Sequence, residues 1–216
     1  MRAALFDMDR TLVRRETATL WMRYQRDIGL ATRLDVLRVS FWVLQYTFGV
    51  IKVDEVVERV SATLRGTRED VFEMRCEDWF AEYVTPWVSD RGREVVERHR
   101  KNHDVLAIVT GATPYAARPL AARLGIEHVL ASRLEVDAEG RFTGRTVRPL
   151  CYGQGKVVLA RALGERLGFA LEEATFYSDS YTDLPLLEAV REPIIVNPDP
   201  RLKRVARRRG WRVESW

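Results

Sequence analysis

From Pro86 onward the chain alternates short apolar runs with stretches of helical periodicity, and this alternation constrains the fold more than any other feature. Periodicity and Gly stops predict helices over 91–102, 115–124, 156–167 and 184–190. Between them lie apolar runs read as buried strands over 105–109, 129–131, 175–177 and 194–196. Strand, helix, strand in repetition is the pattern of a doubly wound parallel α/β sheet. A further apolar run, 3–6, reads as a first strand that stops abruptly at Asp7.

From about residue 16 to 84 the pattern changes to helix alone. Val53, Val56, Val57 and Val60 fall on one stripe, and Val71, Met74 and Phe80 on another. Breaks at Gly29, Gly49 and Gly66 give about four helices. The sequence therefore divides into an α/β core of 1–14 and 88–216 and a helical cap of 15–87. Within the core, 134–136 and 142–146 flank Asp137-Ala138-Glu139-Gly140, a hairpin signal.

With 46% hydrophobic and 31% charged residues, the 216-residue chain is globular rather than disordered. The net charge of +4 admits anionic ligands without selecting one. Cys76 and Cys151 stand far apart with no Cys-x-x-Cys pair, which argues against a zinc or redox motif and suits a reducing, cytoplasmic compartment. No secretory signal fits before Asp7, and 34–51 is too interrupted for a membrane span.

In open α/β sheets ligands bind beyond the carboxyl ends of the strands. Three strands end in polar chemistry there: Asp7-Met8-Asp9-Arg10-Thr11, Thr110-Gly111 and Ser178-Asp179, with Asp183 four residues on. Gly153-Gln154-Gly155-Lys156 adds a cation. Clustered carboxylates need a cation to stay ionised, and oxygen ligands select a hard ion such as Mg²⁺. A hydroxyl, an amide and a lysine can hold phosphoryl oxygens, and a carboxylate can attack phosphorus.

In this order the four segments resemble motifs I to IV of the haloacid dehalogenase superfamily, and the chain is similar to its phosphoserine-phosphatase-like branch with a helical cap. The resemblance covers essentially the whole length. It implies a Mg²⁺-dependent phosphatase working through an aspartyl-phosphate on a small phosphorylated substrate such as phosphoserine. It implies Asp7 as nucleophile and metal ligand, and Asp9 as acid/base with its carbonyl on the metal. Thr110 and the Gly111 amide would hold the phosphoryl group, and Lys156 would neutralise it. Asp179 and Asp183 would complete the metal site. Glu16 and Arg59 match substrate-contacting positions of phosphoserine phosphatases. Arg10 is a departure, since small or polar residues are common there in the superfamily. Thr182 stands where phosphoserine phosphatases usually have Asn. The alternatives are phosphoryl transfer to another acceptor, a lipid-phosphate substrate, or a binding protein of the same fold.

Other features read more plainly. A Walker loop fails because Leu150 stands at its first glycine and Val157 follows the lysine. His99 and His103 read as a solvated basic helix end. The cluster Arg201, Lys203, Arg204, Arg207, Arg208, Arg209 and Arg212 reads as a solvated terminal helix, with no nucleic-acid partner expected and peripheral membrane contact left open. Leu34, Leu37, Phe41, Leu44 and Phe48 form one helical stripe, with apolar residues beyond it, for which core packing, a second subunit, an apolar substrate and a membrane are competing explanations.

Overall fold

The computed structural model describes residues 1–32, 34, 37, 41 and 53–216. The elements, in chain order, are β1 (Ala3–Phe6), α1 (Thr17–Asp27), α2 (Val53–Thr63), α3 (Glu69–Trp79), α4 (Asp90–Lys101), β2 (Val105–Val109), α5 (Pro114–Leu124), β3 (His128–Leu130), β4 (Leu134–Val136), β5 (Phe142–Thr146), α6 (Gln154–Leu167), β6 (Thr175–Ser178), α7 (Leu184–Ala189), β7 (Glu192–Val196), α8 (Pro200–Arg209) and β8 (Arg212–Glu214). They divide into two units. Met1–Arg14, Trp87–Ser132 and Arg148–Trp216 form the first, and Arg15–Pro86 with Arg133–Val147 the second.

The first unit is built on a six-stranded sheet of order β3-β2-β1-β6-β7-β8, every pairing parallel. β1 is buried along its whole length and β2 along all but its first residue, which is why both read as unbroken apolar runs rather than alternating ones. Leu5, Val109, Phe176 and Ile195 of the strands share one core with Val157, Ala160 and Leu163 of α6, Leu186 and Leu187 of α7, and Leu202 and Ala206 of α8. Three helices show a local reason to start or stop. Ser89 Oγ accepts from the Gly92 amide at the start of α4, Asp199 accepts from the amides of Arg201 and Leu202 at the start of α8, and Gly125 ends α5 at φ 62°. From β1 the chain builds outward through β2 to β3, then returns to β1's other side for β6, β7 and β8. That reversal opens a crevice beyond the carboxyl ends of β1 and β6.

β8 extends the sheet beyond the strands read from the sequence. Its Arg-Val-Glu carries no apolar run, and it is held by parallel pairing to β7 alone. An edge strand needs no buried faces, so its pattern is silent.

The second unit carries helices and the hairpin. Trp21 of α1 lies against Phe72 and Trp79 of α3, with ring centroids 5.6 and 5.5 Å apart, and Phe142 of β5 meets Phe72 at 5.3 Å. The 133–147 segment thus packs with the helical unit, whereas the sequence division had placed it in the core. Backbone bonds reinforce this. The Phe142 amide donates to Thr67 O (2.9 Å) and the Gly66 amide to Phe142 O (2.8 Å). Gly144 also lets α2 approach closely, since a Cβ there would sit 3.3 Å from Ala62 Cα. The helical stripes differ as well. Val60 and Met74 are exposed, while Phe72, Cys76 and Trp79, at i, i+4 and i+7, form the buried face of α3. Of the 34–51 stripe, Leu44 and Phe48 lie outside the described residues. Leu34, Leu37 and Phe41 are helical and exposed.

Candidate active site

In the first unit, four adjacent strands each hand over to a polar residue at their carboxyl end: Thr110 after β2, Asp7 after β1, Asp179 after β6 and Asn197 after β7. Strand pairing continues into this row, for the Asp7 amide donates to Tyr177 O at 2.9 Å. Asp7 is therefore held by the sheet itself.

Lys156, in the first turn of α6, reaches into the crevice. Its ammonium donates to Asp7 Oδ1 at 2.7 Å and to Asp183 Oδ2 at 2.8 Å. Its side chain is only 3% exposed. Burial disfavours the charged lysine, but Asp183 and Asp7 outweigh it and hold the ammonium well above its ordinary range. Burial likewise pushes the Asp7 carboxyl up to about 7, with Lys156 pulling it back and the charges of Asp183 and Asp9 pushing it further. Asp183 also accepts from Ser178 Oγ at 2.7 Å. That Oδ2 atom serves the lysine and the serine together, so its visible work is to position Lys156.

Arg10 resolves the departure noted in the first motif. Its backbone is left-handed at φ 52°. Asn197 Nδ2 donates to Arg10 O (3.0 Å), and the Arg10 guanidinium donates to Asn197 O (3.2 Å). The same guanidinium lies 3.5 Å from Asp179 Oδ2. Asn197 was not singled out from the sequence. Its signal was the Asn-Pro step directly after a strand, the same strand-end position that exposed the acids.

Thr110 is buried, and its hydroxyl accepts from the Ala112 amide at 3.1 Å, which shapes the turn carrying Gly111. Thr11 is fully buried, and among the described residues of this unit its hydroxyl is the buried side-chain polar atom left without a partner. Glu16 and Arg59 belong to the other unit: Glu16 immediately precedes α1, and Arg59 is exposed on α2. His99 differs from its solvated reading. It is buried, with Nδ1 2.7 Å from Asp104 and Nε2 2.8 Å from the Tyr177 hydroxyl.

The strand ends gather carboxylates, a hydroxyl and two cations. Asp7 and Asp183 share Lys156, Asp179 lies beside Arg10, and the charge of Asp9 is felt at Asp7. The carboxylates offer oxygen alone, the ligand type of a hard divalent ion. Among the described residues no three Asp, Glu, His or Cys side chains converge on one point.

A doubly wound parallel sheet with this row of polar groups at its strand ends has the architecture of an α/β enzyme. Residues 4–188 match the haloacid dehalogenase-like hydrolases, and the chain belongs to that family. It is 32% identical to a histidinol-phosphatase of Neisseria meningitidis, over 97% of this chain and 96% of that protein. It is 33% identical to a phosphoserine phosphatase of Mycobacterium tuberculosis, over 99% of this chain and 70% of that protein. A solved Bordetella pertussis protein described as of unknown function superposes with a TM-score of 0.88 at 30% identity, covering 98% and 97% of the two chains. The chain is a hydrolase of the phosphoserine-phosphatase-like branch.

Proposed function

We propose that the protein hydrolyses a small phosphate monoester through a covalent phosphate on Asp7, with Mg²⁺ as cofactor. The observation that carries this reading is the Asp7–Lys156–Asp183 arrangement at the head of β1. Lys156 holds Oδ1 of Asp7, and Oδ2 is assigned to the attack. Asp7 attacks phosphorus, and the bond to the leaving oxygen breaks as Asp9 delivers a proton to that oxygen. Asp9, now a carboxylate, takes a proton from water as that water attacks the phosphorus of the aspartyl-phosphate. Inorganic phosphate leaves, and Asp7 returns to its starting state. Thr110 and the Gly111 amide donate to the phosphoryl oxygens, and Lys156 offsets their charge. Asp7 and Asp179, with the Asp9 carbonyl, would hold the Mg²⁺, which supplies positive charge to keep the nucleophile ionised and to bind a phosphoryl oxygen. Asp183 is assigned to Lys156 rather than to the metal.

The two relatives named above carry the names of phosphatases for phosphoserine and histidinol phosphate. Both substrates are primary O-phosphates of small amino compounds, and only the first has a carboxylate. Glu16 is assigned to the amine and Arg59 to a carboxylate. The buried free thiols Cys76 and Cys151 suit a reducing cytoplasm.

The test is Asp7→Asn beside the parent protein, assayed with Mg²⁺ on phosphoserine, histidinol phosphate and an aryl phosphate. An amide cannot attack phosphorus, so turnover and acid-stable phosphoenzyme should both vanish while the fold persists. Retained turnover in this variant, or full parental activity in excess chelator, would overturn the proposal. Arg59→Ala should weaken phosphoserine alone, and equal loss on both amino phosphates would remove Arg59 from the site.

A further inference from the structure

Helix α8 presents a cationic face for which the described residues provide no counter-charge. From Pro200 to Arg212 there are seven Lys or Arg residues and no acid. Without them the chain's net charge of +4 would be −3, so this stretch alone makes the protein basic. Leu202 and Ala206 are buried and fix the orientation of the helix. On the opposite side Lys203, Arg204, Arg207 and Arg208 occupy two successive turns, all exposed. Their neighbours are engaged: Arg209 pairs with Glu188, Arg212 pairs with Glu214, and Arg201 lies over the Tyr181 ring at 4.6 Å. Those four cations have no partner among the described residues.

Four unpaired cations packed within about 10 Å of helix repel one another, at a cost that a facing polyanion would reverse. The face offers no aromatic ring or side-chain amide with which to stack on or read a base.

We propose that the protein docks on anionic phospholipid surfaces through Lys203, Arg204, Arg207 and Arg208. The surface field of an anionic leaflet favours each nearby cation about five-fold, so four together contribute on the order of several hundredfold in partitioning.

The experiment is sedimentation of the full chain with vesicles of phosphatidylcholine alone or mixed with phosphatidylglycerol, over a salt series. Binding should require phosphatidylglycerol and fall steeply as salt rises. A variant carrying Lys203→Gln, Arg204→Gln, Arg207→Gln and Arg208→Gln should lose on the order of several hundredfold in partitioning. Its melting temperature and its rate on a soluble aryl phosphate should stay parental, since these side chains are exposed and outside the candidate site. Equal binding to both vesicle types, no binding to either, or an unchanged quadruple variant would overturn the proposal. Tighter binding to a DNA duplex than to the mixed vesicles at the same salt would overturn it in favour of a nucleic-acid surface. Partitioning is read without turnover, so it stands apart from any failure of the phosphatase assignment.

Discussion

Gly155→Ala is expected to damage catalysis through a single methyl group. Gly155 is the second residue of α6, directly before Lys156, and its amide donates to Tyr152 O at 2.8 Å. A Cβ at this position would lie 1.9 Å from the carbonyl oxygen of Leu150. Real Cβ atoms essentially never come closer than 3.0 Å, so one backbone must retreat by about 1.1 Å. Neither side is a flexible side-chain tip, so the start of α6 or the segment before it has to move. Lys156 rides on that turn with contacts of 2.7 and 2.8 Å to Asp7 and Asp183, and a shift of this size carries at least one beyond hydrogen-bonding range. Misplacement by about 1 Å in a catalytic arrangement costs roughly a hundredfold in rate, and overpacking of this kind about 1–3 kcal/mol in stability. The assay is kcat on an aryl phosphate at saturating Mg²⁺, beside a thermal melt. A parental melting temperature and rate would refute the close approach. A lowered melting temperature with parental kcat would refute the coupling from Gly155 to Lys156.

Three further outcomes are expected. Asp9→Asn should slow esters with poor leaving groups far more than aryl phosphates in the first step and let phosphoenzyme accumulate, so uniform losses without a trapped intermediate would count against Asp9 as acid/base. Asp183→Asn removes one of two carboxylates from a buried ammonium and should lower unfolding free energy by about 3 kcal/mol, read from denaturant midpoints; a loss below about 0.5 kcal/mol would show that Asp7 alone suffices for Lys156. Burial pushes the thiols of Cys76 and Cys151 up to about 12, so both should resist a disulfide reagent at pH 8 in the native protein and react together in denaturant, whereas rapid native labelling would contradict their burial.

Much of the α/β core could be read from the chain because its strands are buried on both faces. Runs such as Val105–Val109 have no other reason to be apolar throughout, and the acids that stop them are conspicuous by contrast. The 134–146 hairpin was visible as a hairpin, but not its allegiance. Phe142 is tied to Phe72, seventy residues earlier, and no local pattern encodes that pairing. His99 was misread for a related reason. Its cationic neighbours suggested solvent, while its partners Asp104 and Tyr177 come from the helix end and from a strand far along the chain. At the site the sequence offered residue types but not their pairings. It named Asp183 beside Asp179, yet only the fold shows Asp183 Oδ2 bonded to Lys156 and Ser178.

The path of the chain between its two units limits how such a protein can be rebuilt. The helical unit is not one insert but two, Arg15–Pro86 and Arg133–Val147, so the backbone passes between units at four places. Replacing the first segment alone with a relative's would leave Phe142 and the Gly66–Phe142 backbone bond facing a foreign surface. A grafted chimera, or a recombination event in nature, must carry both pieces together for the transplanted unit to keep its own core. Selectivity housed in that unit is therefore inherited as a discontinuous genetic block, and a single crossover within the gene would tend to split it.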